Sequence, residues 1–297
     1  MNKILVLGAS GQLGSRIVAD VGNCVGTYNS NNGKRNPDFF HFDISNVTEL
    51  SNIVKFTHSN VIINCIGLTN VDECEKFPEK NWLINNRFPI ELANYCKLNS
   101  IKFIQISTDH FEGAENKIIS ESSYVTSPNQ YSFAKLSAEK MIRDINIDSI
   151  IVRANFFQFN PEKPKTFIDK MIDQVTLNHT IQSFHDVYFT PVSVSYLIKY
   201  MLKMLEINFS GIINISSDQV ISKFGFHELI LDSYKLDTNN HKPISVNDVN
   251  LFAKRSNFMG LDNGKLKRLL GDIKLDIYDM IVEEKNYQEQ RARVAKR

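Results

Sequence analysis

The chain has 297 residues, 42% hydrophobic and 23% charged, enough apolar material for one large α/β domain and a smaller lobe without metals or staples. A formal net charge of +1 gives no whole-protein field, so neither nucleic acid nor a membrane surface is expected as a partner. The four cysteines, Cys24, Cys65, Cys74 and Cys96, have no CxxC or Cys/His ligand spacing; no metal site is expected, and the thiols read as reduced.

The opening, Met1 to Leu7, is too short for a signal peptide, and no apolar run approaches the roughly 20 residues that cross a bilayer. A cytoplasmic protein is expected. Ile4 to Leu7 is a continuous apolar run, the pattern of a parallel strand buried on both faces. Gly8-Ala9-Ser10-Gly11-Gln12-Leu13-Gly14 follows it, and Ile17, Val18 and Val21 then recur at helical spacing. Cys24 to Tyr28 reads as a second strand, Phe39 to Phe42 as a short third, and Val47 to Phe56 as a helix. Val61 to Ile66 is another buried strand, followed by helix from about Glu79 to Leu98 with Pro89 separating two pieces. Lys102 to Ser107 and Ser149 to Arg153 are the next strands. Between them Pro128 to Ile145 reads as a helix with Ser127 as N-cap. Strand and helix alternate throughout, which predicts right-handed crossovers and a doubly wound parallel sheet.

After Arg153 the rhythm changes. Phe156 to Lys165 reads as a loop leaving the sheet, Phe167 to Val175 as helix, and Thr190-Pro191 as a turn or boundary. Val194 to Leu205 is helical, Gly211 to Ile215 a returning strand, and Lys223 to Tyr234 and Asn263 to Leu270 are helical. The basic stretch from Gln288 to Arg297 reads as a solvated helix end or tail. The division that results is interleaved: 1–153 with 190–216 as a dinucleotide-binding domain, and 154–189 with 217–297 as a smaller mixed α/β substrate-binding lobe.

The glycine motif sits where phosphate chemistry needs it, after a strand and opening a helix. Backbone without side chains can approach a pyrophosphate there, and the helix N-terminus offers free N–H groups. Ser10 belongs to the same turn. At the end of the second strand an Asp or Glu would read the adenosine ribose of NAD; this chain has Asn29 instead. Lys34, Arg35 and Arg16 are the nearby cations in sequence. The reading favours NADP(H), with NAD(H) open, because Lys34 and Arg35 equally suit a solvated loop. Asp43 and Ile44, after the third strand, either meet the adenine or begin a turn that Asp43 caps.

Tyr131 and Lys135 lie one helical turn apart and so on one face. A nearby ammonium would lower the phenol pKa from about 10 and let Tyr131 exchange a proton with a carbonyl oxygen as hydride moves. Thr108, at the carboxyl end of its strand, is placed to bind the same oxygen.

With these residues assembled, the chain resembles the extended short-chain dehydrogenase/reductases, in particular the dTDP-4-dehydrorhamnose reductase group. The matching stretches are Gly8 to Gly14, Val61 to Cys65, Thr69 to Asp72, Ile106 to Asp109, Tyr131 to Lys135, Ile151 to Arg153, Asp186 to Pro191 and Gly211 to Asn214. The resemblance implies a Rossmann domain. It implies Thr108, Tyr131 and Lys135 as catalytic residues. Cofactor contacts are implied from Gly8, Gly11, Gln12, Leu13, Asp43, the Asn64 to Gly67 stretch (with Cys65 and Ile66) and Asn85. Thr69, Val71 and Asp109 are implied beside the sugar, and Arg153 either there or in a structural role. A homodimer is implied as well.

Two departures stand out. After Ser107-Thr108-Asp109 the chain has His110-Phe111-Glu112-Gly113, one residue shorter than the group's pattern, and Asn155-Phe156-Phe157 stands where the group has a tryptophan. Both flank the sugar pocket and leave room for a different sugar; His110 itself reads as a loop residue. The expected function is an NAD(P)H-dependent reductase of a nucleotide-linked 4-keto-6-deoxyhexose, with Tyr131 as general acid. The alternatives are an epimerase or dehydratase of sugar nucleotides that uses bound NAD, and a non-catalytic subunit like the methionine adenosyltransferase beta subunit.

Overall fold

A computed structural model describes residues 2–29, 39–114, 117–160 and 166–295. The first half of the chain supplies strands β1 (Ile4–Leu7), β2 (Cys24–Tyr28), β3 (Phe39–His41), β4 (Val61–Asn64), β5 (Lys102–Ile106) and β6 (Ile150–Arg153). Its helices are α1 (Gln12–Asp20), α2 (Val47–Thr57), α3 (Val71–Lys76), α4 (Pro78–Trp82), α5 (Phe88–Leu98) and α6 (Gln130–Ile145). The second half adds the short strands β7 (Asn155–Phe157), β8 (Ile181–Phe184), β9 (Tyr188–Phe189) and β10 (Pro191–Ser193), then β11 (Gly211–Asn214), β12 (Ile221–Ser222), β13 (His241–Ile244) and β14 (Phe258–Met259). Its helices are α7 (Phe167–Thr176), α8 (Val194–Glu206), α9 (Lys223–Ser233), α10 (Gly264–Leu270) and α11 (Ile277–Ala295).

The main sheet has seven parallel strands in the order β11-β6-β5-β4-β1-β2-β3. The doubly wound sheet expected from the apolar runs is therefore present, with its order reversing beside β1. Alternate residues of each strand feed opposite cores. Val6, Ile63, Ile104, Val152 and Ile213 pack towards α1, α8 and α11, while Leu5, Ile62, Phe103, Ile151 and Ile212 pack towards α2, α5 and α6. Both faces being covered is why these strands carry apolar residues at consecutive positions instead of alternating. Among the described residues no helix is long and apolar enough to cross a membrane.

Outside the main sheet, β10-β7, β12-β9-β14 and β13-β8 form three small sheets. They share its core: Phe157, Phe159, Met171, Phe189 and Phe226 belong to the same buried cluster as Ile4 and Val6. Helix α11, assigned by the sequence to the lobe, lies against α8 and α9 and is tied to α1. There Arg16 Nη1 donates to Glu284 Oε1 at 2.6 Å, and its Nη2 to Ser195 at 2.8 Å, with Arg16 and Glu284 only 3% and 0% exposed. Arg16 is thus committed to the back of the domain and is no candidate for a ribose phosphate.

Local expectations change around two prolines, Pro128 and Pro89. Helix α6 starts at Gln130, not Pro128, because Asn129 is the better cap: its side chain accepts from the Ser132 amide at 2.9 Å, and Ser132 Oγ answers with the Asn129 amide. Pro89 does not separate two helices. A π-helical turn over Leu83–Arg87 runs straight into α5, placing Pro89 in that helix's first turn, where no N–H is required. Thr190-Pro191 marks a boundary as expected, β9 ending at Phe189 and Pro191 opening β10. Lys34, Arg35, the loop 161–165 and the last residues of the basic end lie outside the described residues.

In the lobe His227 Nδ1 meets Ser183 Oγ at 2.6 Å, Ser183 Oγ meets His241 Nε2 at 2.8 Å, and His241 Nδ1 meets Glu228. Burial draws the His227 pKa down to about 3, with Lys223 and His241 adding to it. The unfolded chain protonates this ring near pH 6.5 while the fold keeps it neutral, so stability present above about pH 6.5 is lost as pH falls towards 3. Urea midpoints at pH 7.5 and 5 should differ by about 1–2 kcal/mol from this ring alone, and His227→Gln should flatten that slope. At the other buried contact, Glu284→Ala should cost about 1–3 kcal/mol in urea unfolding, because Arg16 Nη1 loses its buried acceptor while Nε stays paired with Asp20 at 2.5 Å; the double change Arg16→Met, Glu284→Leu should recover part of it.

Candidate active site

The carboxyl ends of the parallel strands open onto one trough at the point where strand order reverses, the place where such sheets bind ligands. One end, about 260 Å³, is walled by Gly8, Ser10, Gly11, Tyr28, Asn29, Ile44 and Ile66. The other, about 450 Å³, is walled by Gln12, Leu13, Thr69, Thr108, Asp109, Tyr131, Lys135 and Phe156, among others. Gly11, Cys65, Ile66 and Gly67 line both, so the two ends are continuous.

The first βα turn shows why glycine is needed. Gly8 has φ +83°, and a Cβ on Gly14 would stand 2.3 Å from the Gly8 carbonyl oxygen and 2.9 Å from the Ala9 Cα. Only a bare backbone lets α1 start this close to β1. The N-terminus of α1 has no side-chain cap and no acidic residue in its first turn, so its N–H groups remain free for an anion. A cradle that a single methyl would fill, facing an uncapped helix end, fits the pyrophosphate of a dinucleotide.

Helix α6 presents Tyr131 and Lys135 to the trough. Both are buried, as are Thr108 and Asp109. Lys135 Nζ donates to the Ile106 carbonyl at 3.2 Å. Burial pulls its pKa down to about 8, against the opposing influence of Glu139. The expectation that Lys135 would lower the Tyr131 pKa is not met: burial pushes the phenol well up, and the opposing influence is a hydrogen bond with Thr108. Tyr131 is therefore a protonated phenol at neutral pH, a proton donor rather than a phenolate. Cys65 lies between the two ends of the trough, but burial raises its pKa to about 12 and leaves an unreactive thiol.

Five predicted contacts lie outside the trough wall: Asn64, whose side-chain amide donates to Gln105 Oε1 at 2.9 Å, and the four that follow. Asp43 instead caps a turn, accepting from the Ser45 amide at 2.9 Å and the Ser45 hydroxyl at 2.7 Å. Asn85 supports the trough floor from behind, receiving the Leu68 amide at 3.2 Å and donating to the Leu68 carbonyl at 2.8 Å. Val71 is buried with Cys74, Tyr131 and Ala253, behind the phenol. Arg153 is structural: it forks onto Glu139 with contacts of 2.5 to 3.0 Å, both residues being almost fully buried.

The trough also holds residues that motif reading passes over. Ser107, His110, Ala154 and Asn155 all line it. Asn155 Nδ2 donates to Asp109 Oδ2 at 2.8 Å. The His110 ring meets the Tyr131 ring edge-on at 5.6 Å between centroids, so this histidine is part of the wall rather than a remote loop residue. Burial lowers its pKa, with Asp109 opposing, which keeps the ring neutral. Spacing alone could not find these residues, because the loop after β5 and the strand after β6 meet only in the folded chain.

Comparison with known proteins agrees with this geometry. The family model for the RmlD substrate binding domain matches residues 1–284. A probable low-salt glycan biosynthesis reductase of Haloferax volcanii is 27% identical over 235 residues, covering 76% of this chain and 78% of the relative. The dTDP-4-dehydrorhamnose reductase of Mycobacterium tuberculosis is 23% identical over 272 residues, 88% of this chain and 85% of the relative. Among solved structures, a dTDP-4-dehydrorhamnose reductase from Clostridium acetobutylicum aligns with a TM-score of 0.83 at 25% identity, over 96% of this chain and 99% of that one. The enzyme of that name from Bacillus anthracis, in complex with NADP, aligns at 0.81 and 22% identity over 95% and 98%, a likeness of fold.

The cradle gives a direct test. Gly14→Ala should weaken dinucleotide binding by at least about 10-fold in a fluorescence titration, since a methyl there must push the phosphate-binding turn aside. Gly22→Ala, which meets nothing within 4 Å, should leave it unchanged.

Proposed function

The chain belongs to the RmlD substrate binding domain family, and from that premise we propose that it is an NAD(P)H-dependent reductase of a nucleotide-linked 4-keto-6-deoxyhexose. The observation that carries this reading is the Thr108, Tyr131 and Lys135 group at one end of a trough whose other end is a glycine cradle. The names of the relatives from M. tuberculosis and C. acetobutylicum support the substrate class. NADPH is favoured over NADH because no carboxylate lines the ribose end beside Tyr28 and Asn29 among the described residues.

The bound dinucleotide would supply the hydride, and the protein supplies position and a proton. Thr108 and Tyr131, which line the same end of the trough, would both turn to the keto oxygen. As the carbon accepts hydride, the oxygen gains charge, and Tyr131 passes its phenolic proton to it. The tyrosinate left behind is balanced by the Lys135 ammonium one turn along α6, and regains its proton from solvent. Lys135 and Gly67 lie together at the trough floor, a Cβ on Gly67 being 3.5 Å from Lys135 Nζ, so the ammonium is within reach of a ribose held there. The intact catalytic group favours this reading over a purely regulatory subunit.

Purified protein should oxidise NADPH in the presence of one of a panel of dTDP-, UDP- and GDP-linked 4-keto-6-deoxyhexoses, followed by loss of the near-ultraviolet absorbance of the reduced nicotinamide. Tyr131→Phe should lose about 10²–10⁴-fold in turnover while binding NADPH normally. Full turnover in that variant would remove Tyr131 from the chemistry.

A further inference from the structure

The His110 ring lies against the Tyr131 phenol, and the backbone around it shows that it is held there. The Phe111 amide donates to the Asp109 carbonyl at 2.6 Å, two residues back, which makes a three-residue turn with His110 at its apex. The His110 amide donates to Thr108 Oγ1 at 3.2 Å. Beyond the apex the chain is fixed as well. Phe111 is fully buried in a cluster with Ile119, Val125, Leu136 and Leu261, and Glu112 and Thr126 exchange both backbone hydrogen bonds, at 2.9 and 2.8 Å. A turn pinned on both sides sets the direction of its apex side chain, and here that direction is into the trough.

The phenol is enclosed from two sides. Val71, Cys74 and Ala253 pack behind it, and the His110 ring meets it edge-on, with 5.6 Å between centroids, so that Tyr131 is only 6% exposed. Edge-on aromatic pairs at this separation favour one mutual orientation. Among the described residues neither nitrogen of the His110 ring makes a hydrogen bond; Nε2 stands 3.9 Å from Asp109 Oδ1, beyond bonding range. Packing therefore orients this imidazole, and what it does for its neighbour it does as a ring. The titratable groups that face the phenol are Asp109 and His110 from the loop after β5, Cys74 from α3 and Lys135 one turn along α6. Asp109 and Cys74 act in the same direction as burial, towards the neutral phenol.

We propose that His110 is a positioning residue for the reaction: its ring, held by the pinned turn, fixes the direction of the Tyr131 phenol and covers it from water. The assignment rests on the reductase reading for the reaction that the phenol serves. The ring pair itself does not depend on that reading. Without the imidazole, the phenol would gain a second orientation and a water-filled gap beside it. A proton donor out of line with its acceptor loses rate even when substrate and dinucleotide bind as before, and a misplacement of about 1 Å costs on the order of 10²-fold. Water in the gap would also solvate the tyrosinate, so the phenol would ionise at a lower pH than its burial now imposes.

The test compares the wild type with His110→Ala and His110→Phe on the accepted 4-keto sugar nucleotide. His110→Ala should lower kcat by about 10–100-fold with KM unchanged, the pattern of a misaligned donor. His110→Phe, which keeps a ring and carries no nitrogen, should restore most of kcat. Equal NADPH affinity in all three shows that the variants are folded. Full kcat in His110→Ala overturns the assignment, and so does an equal loss in both variants or a raised KM in both, which would make the imidazole nitrogens sugar contacts. Should the wild type oxidise NADPH with no sugar of the panel, the reductase reading falls, and the positioning is read from the phenol itself. Tyrosinate absorbance of NADP-loaded protein, referenced to Tyr131→Phe, should show Tyr131 ionising about one unit or more lower in His110→Ala than in the wild type or His110→Phe. An unmoved titration in His110→Ala refutes the assignment.

Discussion

A single buried carboxylate, Glu139, holds the trough-facing side of α6 in place. It lies on the same stripe of α6 as Tyr131 and Lys135, each one turn further along the helix. Its Oε1 accepts from Ser107 at 2.5 Å, at the end of β5, and the guanidinium of Arg153, at the end of β6, forks onto it. The helix is thereby clamped against two neighbouring strand ends at once. Buried ion pairs of this kind contribute little net stability against an apolar replacement, but they discriminate strongly between registers. Here a slip of one residue along α6 would pull Glu139 from both partners and turn Tyr131 away from the trough. The arrangement is tight enough that Arg153 Nη1 has no hydrogen-bond partner and the guanidinium rests 4.9 Å from the Phe111 ring centroid.

The clamp also shapes the electrostatics. Burial penalises charge throughout this end of the trough, so Lys135 is drawn down and Tyr131 is held protonated. Glu139 partly offsets the penalty on Lys135 from a distance, which keeps an ammonium available without neutralising it in a direct pair. The sequence-level picture of a phenol acidified by its neighbour misses this balance, because spacing conveys proximity but not desolvation. A protonated tyrosine beside a lysine of lowered pKa is the pairing that the proposed proton transfer from Tyr131 calls for.

The departures from the family's pattern sit together in space. Asn155, where a tryptophan is usual, bonds Asp109, and His110 packs on Tyr131. Replacing a large indole with a short amide exchanges an apolar wall for a polar one. The cradle end, by contrast, keeps the close backbone approach that any dinucleotide requires.

Much of this was legible from the chain alone. Runs such as Ile4 to Leu7 and Val61 to Ile63 marked strands covered on both faces. Gly8 to Gly14 marked the phosphate turn, and the one-turn spacing of Tyr131 and Lys135 put two chemical groups on one helix face. These are local signals, carried by periodicity over a few residues. Charge partners carry no such signal. Arg16 is adjacent in sequence to the cradle yet is neutralised by Glu284 from the far end of the chain, and Arg153 finds Glu139 instead of the substrate. The helix start at Asn129 and the uninterrupted run through Pro89 depended on which cap and which turn the surrounding packing allowed. Tertiary structure decided these points because a long side chain goes wherever desolvation leaves a complementary charge, and only the folded chain sets that place.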